Sequence, residues 1–343
     1  AGILCSVRFQ AYIPKMSARY MKNRWVTSPF PTGSICLEVF FMDHPRYFSA
    51  GAYYLQRFGK PMQKAVIDAG FSCPNLDGTL SYGGCTFCSG GSGHFTPSGT
   101  IPEQIAAERT RIAHTHPDAG IIAYFQAHTN TYGTPEHLRR CYTLALAQDG
   151  VEALAIGTRP DCLPEPVLDV LSDIAEQTAL TVELGLQTIH DATAEQFRRG
   201  YGFGQFLRSF QALRERHIRI CVHLINGLPS EMDADMLETA RVVGRLRPDA
   251  VKIHLLHILR GTPLAAQWRA GRIPVLSQGE YVQITAAQLA LLPPKTVIER
   301  LTGDGAAEEL LAPRWSLHKT AVRNAIARHL KYTDTWQGKN FIP

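Results

Sequence analysis

Three of the chain's eight cysteines fall in one stretch, KAVIDAGFSCPNLDGTLSYGGCTFCSGGSGHF over 64–95, with the spacing Cys73-x11-Cys85-x2-Cys88. Three is an odd number for disulfides, and a close pair with a third cysteine a dozen residues away is a ligand pattern. The pair can bite one metal centre while Cys73 returns to it from across the intervening loop. Two chemistries use such thiolates. In the first, the cysteines hold three irons of a four-iron four-sulfur (4Fe-4S) cluster and leave the fourth iron open to a small molecule. In the second, His94 completes a closed tetrahedral zinc site with Cys73, Cys85 and Cys88, which stabilises a loop and does no chemistry. On these residues both readings stand. Cys141, Cys162 and Cys221 are scattered and read as core thiols. Eight cysteines, several on or beside expected strands, fit a reducing compartment, which points to the cytoplasm.

The elements that must present these thiolates follow from periodicity. Residues 64–69 form a short apolar run with β-branched Val66 and Ile67, ending at Gly70, so the cysteines sit on the loop after a strand. Tyr47, Phe48, Tyr53, Tyr54, Leu55 and Phe58 predict a short helix over 46–58 leading into it. Downstream, helices over 102–113, 135–147, 163–177, 204–216, 233–246 and 278–291 alternate with strands over 121–125, 151–156, 181–186, 219–225, 251–256 and 296–301. Alternation of this kind implies βαβ units, right-handed crossovers and a parallel α/β sheet. A doubly wound sheet and a (β/α) barrel both satisfy it, and in either the ligand lies beyond the C-terminal ends of the strands.

Composition sets outer bounds. A chain of 343 residues with 45% hydrophobic and 19% charged residues has the make-up of a soluble α/β protein with a large core. No apolar run reaches the roughly 18 residues of a membrane helix, so no membrane partner is expected. Residues 1–41 carry Arg8, Lys15, Arg19, Lys22 and Arg24 against the single acid Glu38, which is most of the chain's formal charge of +5. We expect this segment to be disordered or loosely packed, either a transit peptide or a non-native extension.

The run Cys85-Thr86-Phe87-Cys88 places an aromatic directly before the last cysteine and resembles the CxΦC half of the radical S-adenosylmethionine (SAM) signature. The usual spacing has three residues between the first two cysteines. The longer spacing here, and the run DAGFSCPNLDGTLSYGGCTFCS, resemble the YhcC/YtqA-type group, which is related to the radical SAM domain of the elongator catalytic subunit. The resemblance covers 42–331. It implies a partial (β/α)6-type barrel over 42–295, with the cluster on the loop after the first strand. A C-terminal strand and basic helix over 296–343 would form a helical extension on the substrate side. The implied cofactors are a 4Fe-4S cluster and SAM, which yield a 5′-deoxyadenosyl radical on reduction by a donor such as flavodoxin or ferredoxin. The related elongator-type and methylthio-transferring proteins modify tRNA, so the implied substrate is a tRNA base, the wobble uridine. A radical SAM enzyme acting on a peptide or small metabolite is one alternative. A zinc-stabilised (Cys3His) RNA-binding protein without catalysis is another.

The resemblance also nominates site residues. Phe87 lies near the nucleoside. Gln126 or Asn130, after the second strand, replaces the usual Gly-Gly-Glu motif as acceptor for the methionine amine. Arg159, in a TRPD run, can meet a carboxylate or phosphate bidentately. Glu183 and Gln187 share a strand face with Gly185 and are expected at the SAM amine or ribose, with an ion pair between Glu183 and Arg159 as the purely structural alternative. Gly227 opens a GxPGE-type loop under the adenine, with Ser230 in place of the more usual glycine. Lys252 and His254 point into the barrel as substrate contacts. Lys319 shares a helical stripe with Trp315, Val322, Ile326 and Leu330, and Arg323 follows one turn on. Both are candidate substrate or RNA contacts.

Overall fold

The computed structural model describes residues 45–88, 98–303 and 305–343. The segment 1–41 and His94 lie outside the described residues. After α1 (Ala50–Phe58) come β1 (Met62–Ile67), α2 (Ile101–Thr115), β2 (Gly120–Phe125), α3 (Pro135–Leu146), β3 (Val151–Thr158), α4 (Glu165–Gln177), β4 (Ala179–Gln187), α5 (Asp191–Gln196) and α6 (Phe203–Glu215). The chain continues through β5 (Arg219–Asn226), α7 (Asp233–Leu246), β6 (Ala250–Leu255), β7 (Ile258–Leu259), α8 (Pro263–Arg269), α9 (Gln278–Leu291), β8 (Val297–Arg300), β9 (Leu310–Ala312) and α10 (Lys319–Tyr332).

All seven expected strands form, within a few residues of their expected bounds, as one parallel sheet of order β1-β2-β3-β4-β5-β6-β8. The helices start where local chemistry allows. Ser277 accepts from the Glu280 amide and receives the Glu280 carboxylate on its own, a capping box that starts α9. Pro135 occupies the first turn of α3, where its missing N–H costs nothing. The basic helix expected within 296–343 is preceded by a separate 3-10 turn, Arg314–Leu317, so that Trp315 lies off α10. Helices α5 and α8 and the small antiparallel pair β7/β9 were not expected; each is too short to show a period.

The sheet curls almost shut. Lys64 on β1 reaches Glu299 on β8 at 3.1 Å, although these are the first and last strands of the order. The remaining gap is bridged by the chain before α1, where Phe48 accepts from the Ile298 amide at 2.8 Å and Ser49 pairs with Ile298. This is an open (β/α) barrel. Its outer face, including Ile67, Phe125, Ile156, Val182, Val222 and Ile253, packs under the helices as the main core. Alternation then commits the other face to the barrel interior, which is apolar near β2 and β3 but carries Lys64, Tyr124, Glu183, His223 and Lys252.

Candidate active site

The long gap between Cys73 and Cys85 folds back on itself. Leu80 donates to the Pro74 carbonyl and Gly84 to the Asn75 carbonyl, both at 2.8 Å, and Asp77 bridges to Tyr82. Gly78, Gly83 and Gly84 make the turns with φ of +95°, +82° and +72°. Cys85 is thereby returned beside Cys73, and all three cysteines line one cavity. Asn75, buried at the base of the loop, donates from Nδ2 to the Arg198 carbonyl at 2.6 Å and faces the Cys85 Sγ at 3.6 Å. Thr86 ties the CxxC turn down on both sides: its amide donates to the Phe197 carbonyl and its carbonyl accepts from Leu264, each at 3.0 Å. The Phe87 ring packs 5.3 Å from that of Phe197.

A side chain at position 84 breaks this closure. An added Cβ would lie 2.8 Å from Leu76 Cδ2 in a left-handed backbone. We expect Gly84→Ala to cost about 1–3 kcal/mol locally and to lower the iron retained per chain well below wild type, as read by iron and sulfide analysis. The melting temperature of the barrel should move by only a few degrees.

The cavity, of about 380 Å³, opens at the C-terminal ends of the strands. Of the expected site residues, Cys73, Cys85, Phe87, Cys88, Gln126, Arg159, Glu183, Gln187 and His254 line it together. Asn130 lies behind the wall: its amide and Nδ2 both donate to the Gly157 carbonyl, at 3.2 and 2.9 Å, and its buried Oδ1 has no partner among the described residues. Gly227 packs against Leu276 and Leu256 outside the lining, with φ of +83°. Ser230, where the resemblance expects glycine, indeed adopts a left-handed φ of +68°. Lys252 sits below the cavity against Glu183. Lys319 and Arg323 are on the exposed side of α10, Arg323 close to the Thr320 hydroxyl at 3.4 Å.

Several lining residues went unrecognised in the sequence: Tyr124, Arg199, Tyr201, His223, His257 and Arg300. Arg199 and Tyr201 lie on a connection, where no period marks a direction. Tyr124 alternates with buried apolar residues and reads as core. His128 and Gln187 line the cavity with φ of 59° and 63°, left-handed values that are uncommon for such residues and that gather at functional sites.

Arg159 does not meet Glu183. Its guanidinium forks onto Asp161 at 2.9 and 2.7 Å, and both it and the Arg199 guanidinium lie over the ring of Tyr201, 4.9 and 4.7 Å from its centroid. Tyr201 donates to the Gly185 carbonyl at 2.7 Å. Arg199 is almost wholly buried and donates to the Leu186, Thr188 and Tyr201 carbonyls, which replace its lost hydration.

Glu183 has four donors. Lys64 approaches Oε1 at 2.8 Å, while Tyr124 at 2.7 Å, His223 at 2.8 Å and Lys252 converge on Oε2. Burial alone would raise the Glu183 pKa, but Lys252, Lys64 and the His223 hydrogen bond outweigh it and hold the carboxyl well below its usual range. Burial brings Lys252 down to about 8 and pushes the Cys85 thiol up to about 11, with Arg159 opposing the latter. Such a thiol becomes a thiolate by exchanging its proton for a metal. Three convergent thiols, an amide N–H on one sulfur and two nearby guanidiniums form a donor set that fits a cluster liganded by three cysteines.

Residues 82–243 match the model of the radical SAM superfamily, and residues 248–332 match that of the radical SAM C-terminal domain. The uncharacterised protein YtqA of Bacillus subtilis is 43% identical over 299 residues, 86% of this chain and 93% of that protein. The chain belongs to the radical SAM superfamily. It is accordingly an enzyme that uses a 4Fe-4S cluster and SAM and depends on a reductant. A more distant likeness, 28% over 155 residues, links this radical SAM enzyme to the tRNA uridine(34) acetyltransferase of Methanocaldococcus jannaschii; it spans 44% of this chain and 28% of that one. The solved archaeal Methanocaldococcus infernus Elp3 shares the fold, with a TM-score of 0.62 at 17% identity, covering 80% of this chain and 64% of that chain. Among the described residues no helix is long and apolar enough to cross a membrane.

Proposed function

We propose that this radical SAM enzyme modifies a tRNA base, the wobble uridine, with Cys73, Cys85 and Cys88 holding three irons of the cluster. When bound and reduced, the cluster and SAM supply a 5′-deoxyadenosyl radical; the chain's own residues orient the reactants and exclude water. Phe87 packs along the nucleoside. Gln126, on the cavity wall, accepts from the methionine amine, while Asn130 behind the wall holds the backbone at Gly157. Arg159, held rigid by Asp161 and Tyr201, presents positive charge to the carboxylate. Gln187 reaches the ribose, and Gly227 lets the loop approach the adenine. Glu183, saturated by its four donors, acts by orienting His223 and Lys252. His254 faces the substrate, while Lys319 and Arg323 meet RNA phosphates from outside the cavity. The electron comes from a flavodoxin or ferredoxin in the reducing cytoplasm, where the free cysteines stay free.

The observation that carries the substrate assignment is the relationship to a protein named for acting on tRNA uridine 34. The test is nucleoside mass spectrometry of tRNA from cells lacking this protein. One wobble-uridine derivative should change in abundance and recover with the wild-type protein but not with Cys85→Ala. In vitro, tRNA from the deficient cells should raise 5′-deoxyadenosine formation by on the order of tenfold, a barrier change of about 1.4 kcal/mol. An unchanged nucleoside profile, with stimulation by a peptide or metabolite fraction instead, would overturn the assignment.

A further inference from the structure

The connection that follows α5 grips the cysteine loop at successive carbonyls. That of Phe197 accepts from the Thr86 amide at 3.0 Å, and that of Arg198 accepts from Asn75 Nδ2 at 2.6 Å. Arg198 and Gly200 both take left-handed backbone here, with φ of 59° and 83°. The approach at Gly200 is close: a Cβ on it would lie 3.1 Å from Asn75 Oδ1 and 3.3 Å from Arg159 Nη2.

Asn75 is the residue this grip fixes most fully. It is 2% exposed, and chemistry sets which way its amide faces. Its Oδ1 accepts from the Ser81 hydroxyl at 2.9 Å, while its Nδ2 meets the Arg198 carbonyl, which can only accept. One amide hydrogen goes to that carbonyl. The other is left for Cys85 Sγ, 3.6 Å from the nitrogen, a distance that suits the larger radius of sulfur. None of the bonds that hold the amide in place depends on what Cys85 binds. A neutral thiol is a weak acceptor, whereas a thiolate draws a strong, charge-assisted bond. The donor therefore gains its strength when Cys85 becomes a ligand.

A four-iron cluster on three thiolates carries net negative charge, and the electron from the reductant adds one more unit of it. Burial opposes that addition, because a low-dielectric site disfavours extra charge. A hydrogen bond to a ligand sulfur acts the other way, since the more negative state holds the donor more tightly.

We infer that Asn75, acting through Cys85, is a positioning residue for electron uptake: its Nδ2–H on Cys85 Sγ raises the reduction potential of the cluster toward that of the protein's one-electron donor. This rests on the assignment of Cys73, Cys85 and Cys88 as ligands. One electron passes from the donor to the cluster's iron; no bond of the protein breaks and no proton moves.

The test is a redox titration of the anaerobically reconstituted protein without SAM, followed by electron paramagnetic resonance of the reduced form. Asn75→Ser keeps a small polar side chain and takes the N–H away from the sulfur. At a fixed potential, its ratio of reduced to oxidised cluster should fall by about three- to tenfold, the scale of one hydrogen bond. The tenfold limit is a potential lower by about 59 mV for a one-electron couple. Iron per chain should stay at the wild-type level. Full iron with an unchanged or higher potential would overturn the inference and leave Asn75 as a loop clamp.

A second readout needs no variant. Wild-type protein grown with asparagine isotopically labelled at its side-chain nitrogen should show coupling of that nucleus to the reduced cluster in pulsed electron paramagnetic resonance. Asn130 does not compete, since its Nδ2 is given to the Gly157 carbonyl behind the cavity wall. No coupling from the label would also overturn the inference. Failure of the wild type to take up a cluster at all would instead sink the ligand assignment, and the inference with it.

Discussion

Cys85→Ala protein, reconstituted anaerobically with iron and sulfide, should lack the low-temperature electron paramagnetic resonance signal of a reduced 4Fe-4S cluster and form no 5′-deoxyadenosine. The expected loss is at least about 10³-fold, the scale on which removal of an indispensable catalytic group acts. Of the three proposed ligands, Cys85 is the one whose placement is tied down most fully. Asn75 faces its sulfur at 3.6 Å, the loop hydrogen bonds return it beside Cys73, and burial makes its free thiol a poor thiolate without metal. Wild-type protein should bind about four irons per chain, with a signal that changes on adding SAM. His94→Ala separates this chemistry from the closed Cys3His alternative: it should keep its iron and its SAM response, whereas a zinc site dependent on that ligand would lose its metal. Stoichiometric zinc in the wild type, with no iron after reconstitution, would refute the assignment of these cysteines.

The second large effect lies inside the barrel. Glu183→Gln removes the charge that balances Lys64 and Lys252, leaving Lys252 buried with no carboxylate at bonding distance while Lys64 keeps Glu299 at 3.1 Å. Breaking a buried pair from one side costs about 3–5 kcal/mol, which for a chain of this size is a fall in melting temperature on the order of 10 °C. Pairing it with Lys252→Met should recover part of the loss, because the orphaned ammonium is gone. No recovery would mean that Glu183 stabilises the fold mainly through His223 and Tyr124.

The same network makes stability sensitive to acid. Against the effect of burial, Lys64 and Arg219 hold the Glu299 pKa at about 2, below its ordinary value of 4.5. A carboxylate with a depressed folded-state pKa is protonated first in the unfolded chain, so its stabilisation is fully present above about pH 4.5 and lost as the pH falls toward 2. That window is worth roughly 3 kcal/mol for Glu299 alone. A melting temperature falling steeply below pH 4.5 in the wild type, and less steeply in Glu299→Gln, is the expected pattern. Equal slopes would refute it.

Local spacing alone determined a good deal about this protein. The alternation of short apolar runs with longer amphipathic ones placed all seven sheet strands, because a strand's period of two and a helix's period of 3.6 are imposed by backbone geometry. The cysteine trio and Phe87 marked the loop that lines the cavity, because side chains on one short loop need little tertiary context to converge. Only the tertiary structure decided which polar groups meet. Lys64 and Glu183 are 119 residues apart, and Tyr124 and Lys252 are 128 apart; each alone is an isolated polar residue in an apolar strand. Their meeting depends on strand order, register and the curl of the sheet, which no local pattern encodes. Arg159 turned to Asp161 rather than Glu183 for the same kind of reason. A guanidinium can fork onto any carboxylate in reach, and the fold decides which one that is. The burial of the His254 and His257 Nε2 atoms without a hydrogen-bond partner among the described residues is likewise decided by packing, because it depends on which neighbours close around each ring.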